Sequence, residues 1–162
     1  MKTKSNVQNL SKDEIDDFLS SNRAGVLSLT DGTSTYGLPF AYFYGDGTIY
    51  LTISLKGRKK KYIENNNNVC FTVFHIPDDF GKPGKTSWTS VICEGVLEAI
   101  KEPEELKKAV HVGEKHMGMP EGSLEKLLQM ILKDPENSNF WKINLSSLGG
   151  RGVENEKIEF EE

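Results

Sequence analysis

The alternating segment Thr48–Leu55 constrains the fold of this 162-residue chain more than any other feature. Aliphatic side chains occupy every second position of it, and more polar ones lie between them. The aliphatic residues are Ile49, Leu51, Ile53 and Leu55, and the intervening residues are Tyr50, Thr52 and Ser54. A period of two predicts a β-strand with one buried face and one polar face. The sequence Gly45-Asp46-Gly47 directly before it is typical of a tight hairpin turn.

Five further segments have the composition of strands, with β-branched and aromatic residues bounded by turn residues. They are Ala24–Thr30, Tyr36–Tyr44, Val69–Ile76, Ser87–Ile100 and Phe140–Leu145. The segment Pro77–Lys85 is rich in glycine, proline and aspartate, which predicts a loop. We therefore expect a mainly β protein, a small antiparallel barrel of about six strands with peripheral helices.

One helix is predicted before these strands, and two more are predicted between the fifth and the sixth. Ser11 and Glu14 have the spacing of a capping box, so a first helix is expected to begin there. Apolar residues at helical spacing predict two more helices late in the chain, at Pro103–His116 and Ser123–Lys133.

The length suits a single domain, which we place at residues 1–150, with a helical insertion at about residues 102–134. Residues 151–162 are rich in glutamate and are expected to form an acidic tail. Hydrophobic residues make up 36% of the chain, and no run approaches the ~20 apolar residues of a membrane-spanning helix. The first residues lack the apolar region of a secretory signal, so we expect a cytoplasmic protein with no membrane partner.

Charge and reactive side chains exclude several function classes. The net charge of −4 counts against a nucleic-acid partner, because such proteins usually carry a basic surface. Cys70 and Cys93 lie in separate apolar runs, which indicates reduced, buried thiols. No metal site is expected, because the histidines share no metal-ligand spacing. They are His75, His111 and His116.

The most unusual segment is the basic stretch Lys56–Lys61, which is followed by four asparagines. Asparagine is common at helix ends, so a short helix is expected at Arg58–Asn65. Cations at a helix N-terminus are unfavourable unless an anion lies among them, and the free backbone N–H groups there bind anions. Gly57, Arg58 and Lys59 are therefore predicted to form a phosphate cradle, and a solvated basic turn is the alternative.

The polar face of the alternating strand leads towards this cradle. Tyr50, Thr52 and Ser54 would either line a ligand groove or face water. Trp88 and Trp141 stand at the beginnings of two predicted strands, where tryptophan is either core or a platform for a ligand.

Several of these segments follow one another along the chain in the same order as the motifs of a known family. The hairpin DGTIY at residues 46–50 leads to GRK at residues 57–59 and to the asparagine-rich turn into Val69, and SVICEG follows at residues 90–95. In this order the chain resembles the FMN-binding split-barrel superfamily that includes pyridoxamine 5′-phosphate oxidase. Within it, the chain is most similar to the branch of the nitroimidazole-resistance proteins. The resemblance runs from about Leu10 to Lys115, with a weaker match through Leu148.

The resemblance implies a six-stranded antiparallel split β-barrel that forms a homodimer, with FMN bound at the subunit interface; a deazaflavin would suit the same site. Arg58 and Lys59 are expected to bind the phosphate. The backbone of the strand Phe40–Tyr42 is expected to border the isoalloxazine ring, and Thr52 and Ser54 to meet the ribityl chain or the ring edge. The implied cofactor-binding residues are Phe40, Ala41, Tyr42, Thr52, Ser54, Gly57, Arg58, Lys59, Trp88 and Ser90.

Trp88 and Ser90 match the position that reaches across from the other subunit. The nitroimidazole-related proteins tend to carry a histidine where this chain has Thr52, so the resemblance does not imply nitro reduction. The C-terminal segment with which the oxidase binds pyridoxal phosphate has no counterpart here, so vitamin B6 oxidation is not implied either.

Our leading functional hypothesis is an FMN-dependent flavoprotein oxidoreductase that passes electrons from a reduced nicotinamide cofactor, NAD(P)H, to a small-molecule acceptor. The cofactor supplies such chemistry, which agrees with the lack of a recognisable catalytic motif in the chain. The alternative is a carrier or sensor that binds flavin, deazaflavin or haem without turnover. A third hypothesis is single-stranded nucleic-acid binding by the basic stretch and the aromatic residues Tyr42, Phe43 and Tyr44.

Overall fold

The computed structural model describes residues 6–154. Its strands are β1 (Gln8–Asn9), β2 (Ala24–Thr30), β3 (Thr35–Gly45), β4 (Thr48–Thr52), β5 (Asn68–His75), β6 (Trp88–Ala99) and β7 (Phe140–Val153). Its helices are α1 (Lys12–Ser21), α2 (Arg58–Asn65), α3 (Pro103–His116) and α4 (Glu125–Lys133), with a 3₁₀ turn at Pro135–Asn137.

The six longer strands close into an antiparallel barrel in the order β7-β4-β3-β2-β5-β6, and β6 pairs back onto β7. The short β1 pairs with the end of β7. The predicted mainly β fold with peripheral helices is confirmed. Two strands differ from the prediction by more than one residue at an end: β4 ends at Thr52 and β7 continues to Val153.

The far end of β7 contains three glycines, and it includes residues 151–153, which the sequence analysis assigned to the acidic tail. Barrel closure explains the difference, since this segment pairs with β6 along its length. At Gly150 the lack of a side chain is needed, because a Cβ atom there would lie 2.8 Å from Leu10 Cδ1. Residues 155–162 of the predicted acidic tail lie outside the described residues.

The barrel interior is filled by alternate residues of the strands. Leu27, Phe71 and Val91 are fully buried there. Gly25 lies beside the Phe71 ring, and a Cβ atom at this position would approach Phe71 Cε1 to 2.6 Å. The inward positions are therefore packed tightly enough that one extra methyl group matters.

A second apolar cluster lies outside the barrel, under α3 and α4. We call it the insertion cluster; it comprises Tyr50, Ile100, Leu106, Ala109, Val110, Leu128 and Phe140. Tyr50 is only 4% exposed in it. The prediction that Tyr50 lines a ligand groove or faces water is therefore wrong, because the insertion helices cover this part of the polar face of β4.

The first helix begins as predicted. Ser11 Oγ accepts from the Glu14 N–H, and the Glu14 carboxylate accepts from the Ser11 N–H, which completes the capping box. Within residues 6–154, no helix is long and apolar enough to cross a membrane.

Candidate functional site

The barrel is open along part of β3. This strand pairs with β2 from Thr35 to Ala41, but with β4 only from Tyr42 to Gly45. Beyond this pairing the chain no longer bonds to β3, although it stays bonded on its other side, where the Ile53 N–H donates to the Asn139 carbonyl at 2.8 Å. We call the opening between β3 residues 35–41 and chain residues 53–57 the split.

The register shows which backbone groups of β3 face the split. Tyr42 N–H donates to the Arg23 carbonyl at 3.1 Å, so the backbone of Tyr42 points towards β2. Successive residues of a strand point their backbone groups to opposite sides. Phe40 therefore also points to β2, whereas Ala41 and Gly37 point the other way. The Ala41 carbonyl closes the last pair with β4, so the Ala41 N–H and both backbone groups of Gly37 face the split. Among the described strands, none occupies this edge.

This assignment refines the expectation for the ring-binding strand. Of Phe40, Ala41 and Tyr42, only Ala41 offers a backbone group, its N–H, to the split. The Phe40 side chain packs against the barrel core. Tyr42 is buried, and its hydroxyl donates to the Leu19 carbonyl at 2.7 Å. Pro39 suits such an edge, because proline has no N–H to leave unpaired.

The N-terminus of α2 closes one end of the split. Gly57 has a φ of 69°, a left-handed conformation that glycine adopts without strain. No side chain caps the helix, and its first turn contains no acidic residue. The first backbone N–H groups therefore lack the usual internal acceptor, and the helix macrodipole adds positive potential to the cations there. The prediction of a helix at Arg58–Asn65 is confirmed.

Arg58 is oriented by two aromatic rings. Its guanidinium carbon lies 4.5 Å from the centroid of the Tyr36 ring and 5.7 Å from that of Tyr62. Its Nη2 donates to the Tyr62 hydroxyl at 3.3 Å. This hydrogen bond raises the pKa of Arg58 further above its ordinary value, so the side chain is a permanent cation.

The other cations of the basic stretch differ in their partners. Lys59 Nζ donates to the Lys56 carbonyl at 3.0 Å, which keeps it next to the helix N-terminus. Lys60 forms an ion pair with Glu64 at 2.7 Å on the helix surface. The structure thus brings Gly57, Arg58 and Lys59 together, while Lys60 is directed elsewhere.

Thr52 and Ser54 lie at the beginning of the chain segment that borders the split. Both are exposed, while Ile53 between them is buried in the core. Their hydroxyl groups are therefore on the solvent side of this segment, accessible to a bound molecule.

Trp88 and Ser90 lie elsewhere in the same chain. They belong to β6, three strands from β3 in either direction around the barrel, so ~14 Å of sheet lies between the two strands at the usual strand spacing. Trp88 packs against Phe74, with ring centroids 6.3 Å apart, and Ser90 pairs with Arg151 of β7. One chain alone does not bring these two residues to the split.

Sequence reasoning missed Tyr36 and Tyr62. A signal for Tyr62 was available, since it follows Arg58 by four residues, the spacing of neighbours on one helix face. Tyr36 is 22 positions before Arg58 in the chain. Its contact with Arg58 depends on how β3 and α2 meet, which no local pattern shows.

Other reactive groups are placed away from the split. Cys70 and Cys93 are free thiols, and burial raises the pKa of Cys93 to about 12, so it is not a nucleophile near neutral pH. No metal-binding group of three or more acidic, cysteine or histidine side chains occurs within residues 6–154. His116 uses both ring nitrogens, one accepting from the Tyr44 N–H and the other bonded to the Asn22 carbonyl.

The chain is similar to known proteins in sequence and in fold. The sequence model of the pyridoxamine 5′-phosphate oxidase family matches residues 11–152. The chain belongs to this family. No curated protein sequence matches the chain.

Solved structures share the fold. An FAD-binding protein from Mesorhizobium loti has 25% sequence identity and a TM-score of 0.64, over 92% of this chain and 99% of that one. A putative 5-nitroimidazole antibiotic resistance protein from Bacteroides thetaiotaomicron has 21% identity and a TM-score of 0.64, over 94% and 96%. An FAD-binding protein from Mycobacterium smegmatis has 17% identity and a TM-score of 0.62, over 91% and 99%.

Proposed function

We propose that this member of the pyridoxamine 5′-phosphate oxidase family is an FMN-dependent oxidoreductase that passes electrons from NAD(P)H to a small acceptor. The observation that carries the proposal is the split, which has free backbone hydrogen-bonding groups along one side and the cationic end of α2 at one end. A flavin mononucleotide has the matching chemistry, a polar ring edge and a phosphate joined by a hydroxylated chain.

The dimensions of the split suit this ligand. Arg58 contacts Tyr36, so the cradle lies at the Tyr36 end of β3. At about 3.4 Å per residue, Ala41 is ~17 Å further along the strand. A phosphate bound by Arg58 and Lys59 would therefore leave the ring to reach the backbone groups near Ala41, with Thr52 and Ser54 beside the connecting chain.

A bound flavin supplies the redox chemistry, hydride acceptance from a nicotinamide and electron transfer to the acceptor. The residues of the chain would bind and orient it. Arg58 and Lys59 would hold the phosphate by charge-assisted hydrogen bonds, and the Ala41 and Gly37 N–H groups would donate to acceptors on the ring edge. Such a role needs no acid or base side chain.

The same proposal includes a homodimer. The outer face of β2, β5 and β6 exposes apolar side chains: Val26 is 42% exposed, Phe74 is 55% exposed and Ile92 is 48% exposed. A second copy on this face would bury them, and it would bring its own Trp88 and Ser90 to the split, which one chain does not do. Each site would then contain residues of both subunits.

The relatives from Mesorhizobium loti and Mycobacterium smegmatis are named FAD-binding proteins. FAD and FMN share the ring, the ribityl chain and the first phosphate, so the split suits the common part of both. We favour FMN because the predicted cradle offers one group of cations. Release of the bound flavin by heat and its chromatographic comparison with FMN, FAD and a deazaflavin would test this choice.

The decisive experiment is a visible absorption spectrum of the desalted protein, before and after anaerobic addition of NAD(P)H. We expect a flavin band, present as purified or after reconstitution with FMN, that bleaches with the nicotinamide. A band that no nicotinamide bleaches would favour a carrier or sensor instead. A protein that neither contains nor takes up any flavin would refute the proposal.

The cradle is tested by the double variant Arg58→Ala/Lys59→Ala. Loss of two charge-assisted contacts should weaken FMN binding by 100-fold or more, at roughly tenfold or more for each contact, with the barrel still folded. Lys60→Ala is the matched control, because it removes a neighbouring cation that pairs with Glu64. Equal FMN affinity in the double variant and the control would show that the phosphate lies elsewhere.

The shared site is tested by Trp88→Ala. In the dimer, we expect weaker flavin binding while the melting temperature of the flavin-free protein stays close to that of the wild type, because Trp88 is partly exposed on β6. Flavin titration and thermal melts separate the two effects. A loss of thermal stability with unchanged flavin affinity would instead make Trp88 a residue of the fold.

A further inference from the structure

The guanidinium of Arg58 is part of a hydrogen-bonded chain that ends at a carboxylate. Arg58 Nη2 donates to the Tyr62 hydroxyl at 3.3 Å, and that hydroxyl lies 2.8 Å from Ser34 Oγ. Ser34 Oγ in turn lies 3.1 Å from Asp31 Oδ2. We call these four side chains together with Tyr36 the Arg58 network.

Chemistry fixes the direction of each bond in the network. A guanidinium has donors only, so the Tyr62 oxygen must accept from Arg58. The Tyr62 proton then goes to Ser34 Oγ, and the Ser34 proton goes to the Asp31 carboxylate, which only accepts. Every hydroxyl therefore donates once and accepts once, and the negative end of the chain is Asp31.

Asp31 is itself held in place by the turn between β2 and β3. Its Oδ1 accepts from the backbone N–H groups of Thr33 and Ser34, at 2.9 and 2.7 Å. Chiefly the Ser34 N–H, followed by that of Thr33, lowers the pKa of Asp31 far below its ordinary value. The carboxylate is therefore ionised throughout the neutral range and orients the Ser34 hydroxyl.

The face of the guanidinium is covered as well as one of its edges. The guanidinium carbon lies 4.5 Å from the centroid of the Tyr36 ring. The Tyr36 and Tyr62 ring centroids are 5.5 Å apart, so both rings lie close to the cation. Bonding to Tyr62 uses one of the five N–H donors of arginine. An anion can still be bound through the others.

From this geometry we propose that Tyr36 and Tyr62 are positioning residues of the flavin site, which act through Arg58 by holding its guanidinium ready for the phosphate. The inference rests on the proposed flavin function. An exposed arginine loses side-chain entropy when it binds an anion, and a side chain that is already oriented loses less of it. Tyr36 and Tyr62 would therefore increase affinity for the phosphate without touching the flavin.

The readout is phosphate recognition, expressed as the Kd of riboflavin divided by the Kd of FMN. Riboflavin shares the ring and ribityl chain but has no phosphate, so a purely structural loss would weaken both ligands and leave the ratio unchanged. Both constants are measured by quenching of flavin fluorescence with the full chain.

Two pairs of variants test the residues. Tyr36→Leu removes the ring under the guanidinium and should lower the ratio about two- to fivefold, whereas Tyr36→Phe keeps the ring and should restore it. Tyr62→Phe keeps the packed ring but loses the oxygen that accepts from Arg58, and it should lower the ratio to a similar extent. In an Arg58→Ala background, neither Tyr36→Leu nor Tyr62→Phe should have any further effect, because both act through Arg58.

The outcomes separate this inference from the proposed function. If Arg58→Ala/Lys59→Ala lowers the ratio but Tyr36→Leu does not, the cradle is right and the positioning role is wrong. If Tyr36→Leu lowers the ratio equally with and without Arg58, the ring acts directly on the ligand and the inference is also overturned. If wild-type protein binds FMN no better than riboflavin, the cradle is wrong, and the positioning role is refuted with it.

Discussion

The environment of the Tyr50 side chain in the structure differs from the one that the strand pattern predicts. In the sequence it alternates with aliphatic residues and points to the same side as Thr52 and Ser54, so it could line a ligand groove. In the structure its ring is part of the insertion cluster and is 4% exposed. The two descriptions predict opposite results for the same pair of substitutions.

Removal of the ring should be costly. Truncation of a buried aromatic residue to alanine typically lowers the free energy of unfolding by about 3–5 kcal/mol, and Tyr50→Ala should fall in this range. For a chain of this size, each kcal/mol shifts the melting temperature by roughly 2–4 °C, so we expect a loss of about 6–20 °C.

Removal of the hydroxyl alone should have little effect. Every buried side-chain nitrogen or oxygen within residues 6–154 has a hydrogen-bond partner. The Tyr50 hydroxyl makes no hydrogen bond to that part of the protein and therefore reaches the surface. Tyr50→Phe should change the free energy of unfolding by no more than about 0.5 kcal/mol.

Urea denaturation and flavin titration of both variants test this argument. Tyr50→Phe should bind FMN as the wild type does, because the insertion cluster is separate from the split. If Tyr50→Phe melts normally but loses flavin affinity, the hydroxyl lines the ligand site and our assignment of this face is wrong. A change below about 1 kcal/mol for Tyr50→Ala would show that the insertion helices do not pack on the barrel as described.

Two further predictions concern the fold. The buried Glu114 carboxylate accepts from the Leu124 and Gly122 N–H groups. These bonds, chiefly that of Leu124, lower the pKa of Glu114. The stability that they contribute is therefore present above the ordinary carboxyl pKa and is lost as the pH falls through the lowered pKa. Urea melts from neutral pH to about pH 3 should show a smaller acid loss for Glu114→Gln than for the wild type, and parallel curves would contradict this. Gly25→Ala places a methyl group against the Phe71 ring and the Thr72 carbonyl, and it should cost about 1–3 kcal/mol in thermal melts. Phe71→Leu should recover part of that loss, and no recovery would show that the strain lies elsewhere.

Strand periodicity and capping chemistry were sufficient to predict most of the fold. For Thr48–Leu55 they predicted which face is buried but not where the strand ends. Its alternation correctly predicted the inward face, since Ile49, Leu51 and Ile53 are all buried in the core. Alternation could not show that β4 ends at Thr52, because the end is set by divergence from β3, a relation between two strands.

The candidate site was partly predictable for a similar reason. The cations and the glycine at the start of α2 are adjacent in sequence, and local helix physics indicated an anion site there. The free edge of β3 follows from strand pairing, and Tyr36 meets Arg58 only in the folded chain. The prediction that Trp88 and Ser90 of a second subunit take part in the site comes from the family resemblance alone.

The pairing of β7 has a consequence for how the chain is synthesised and folded. It is the last strand within residues 6–154, yet it lies between β4 and β6 and bonds to both. Until it leaves the ribosome, two strand edges remain without a partner, and such edges recruit other chains. Closure joins residues far apart in sequence, which slows folding. We therefore expect C-terminally truncated or stalled chains to aggregate, and chaperones to be needed mainly during the interval before β7 is in place.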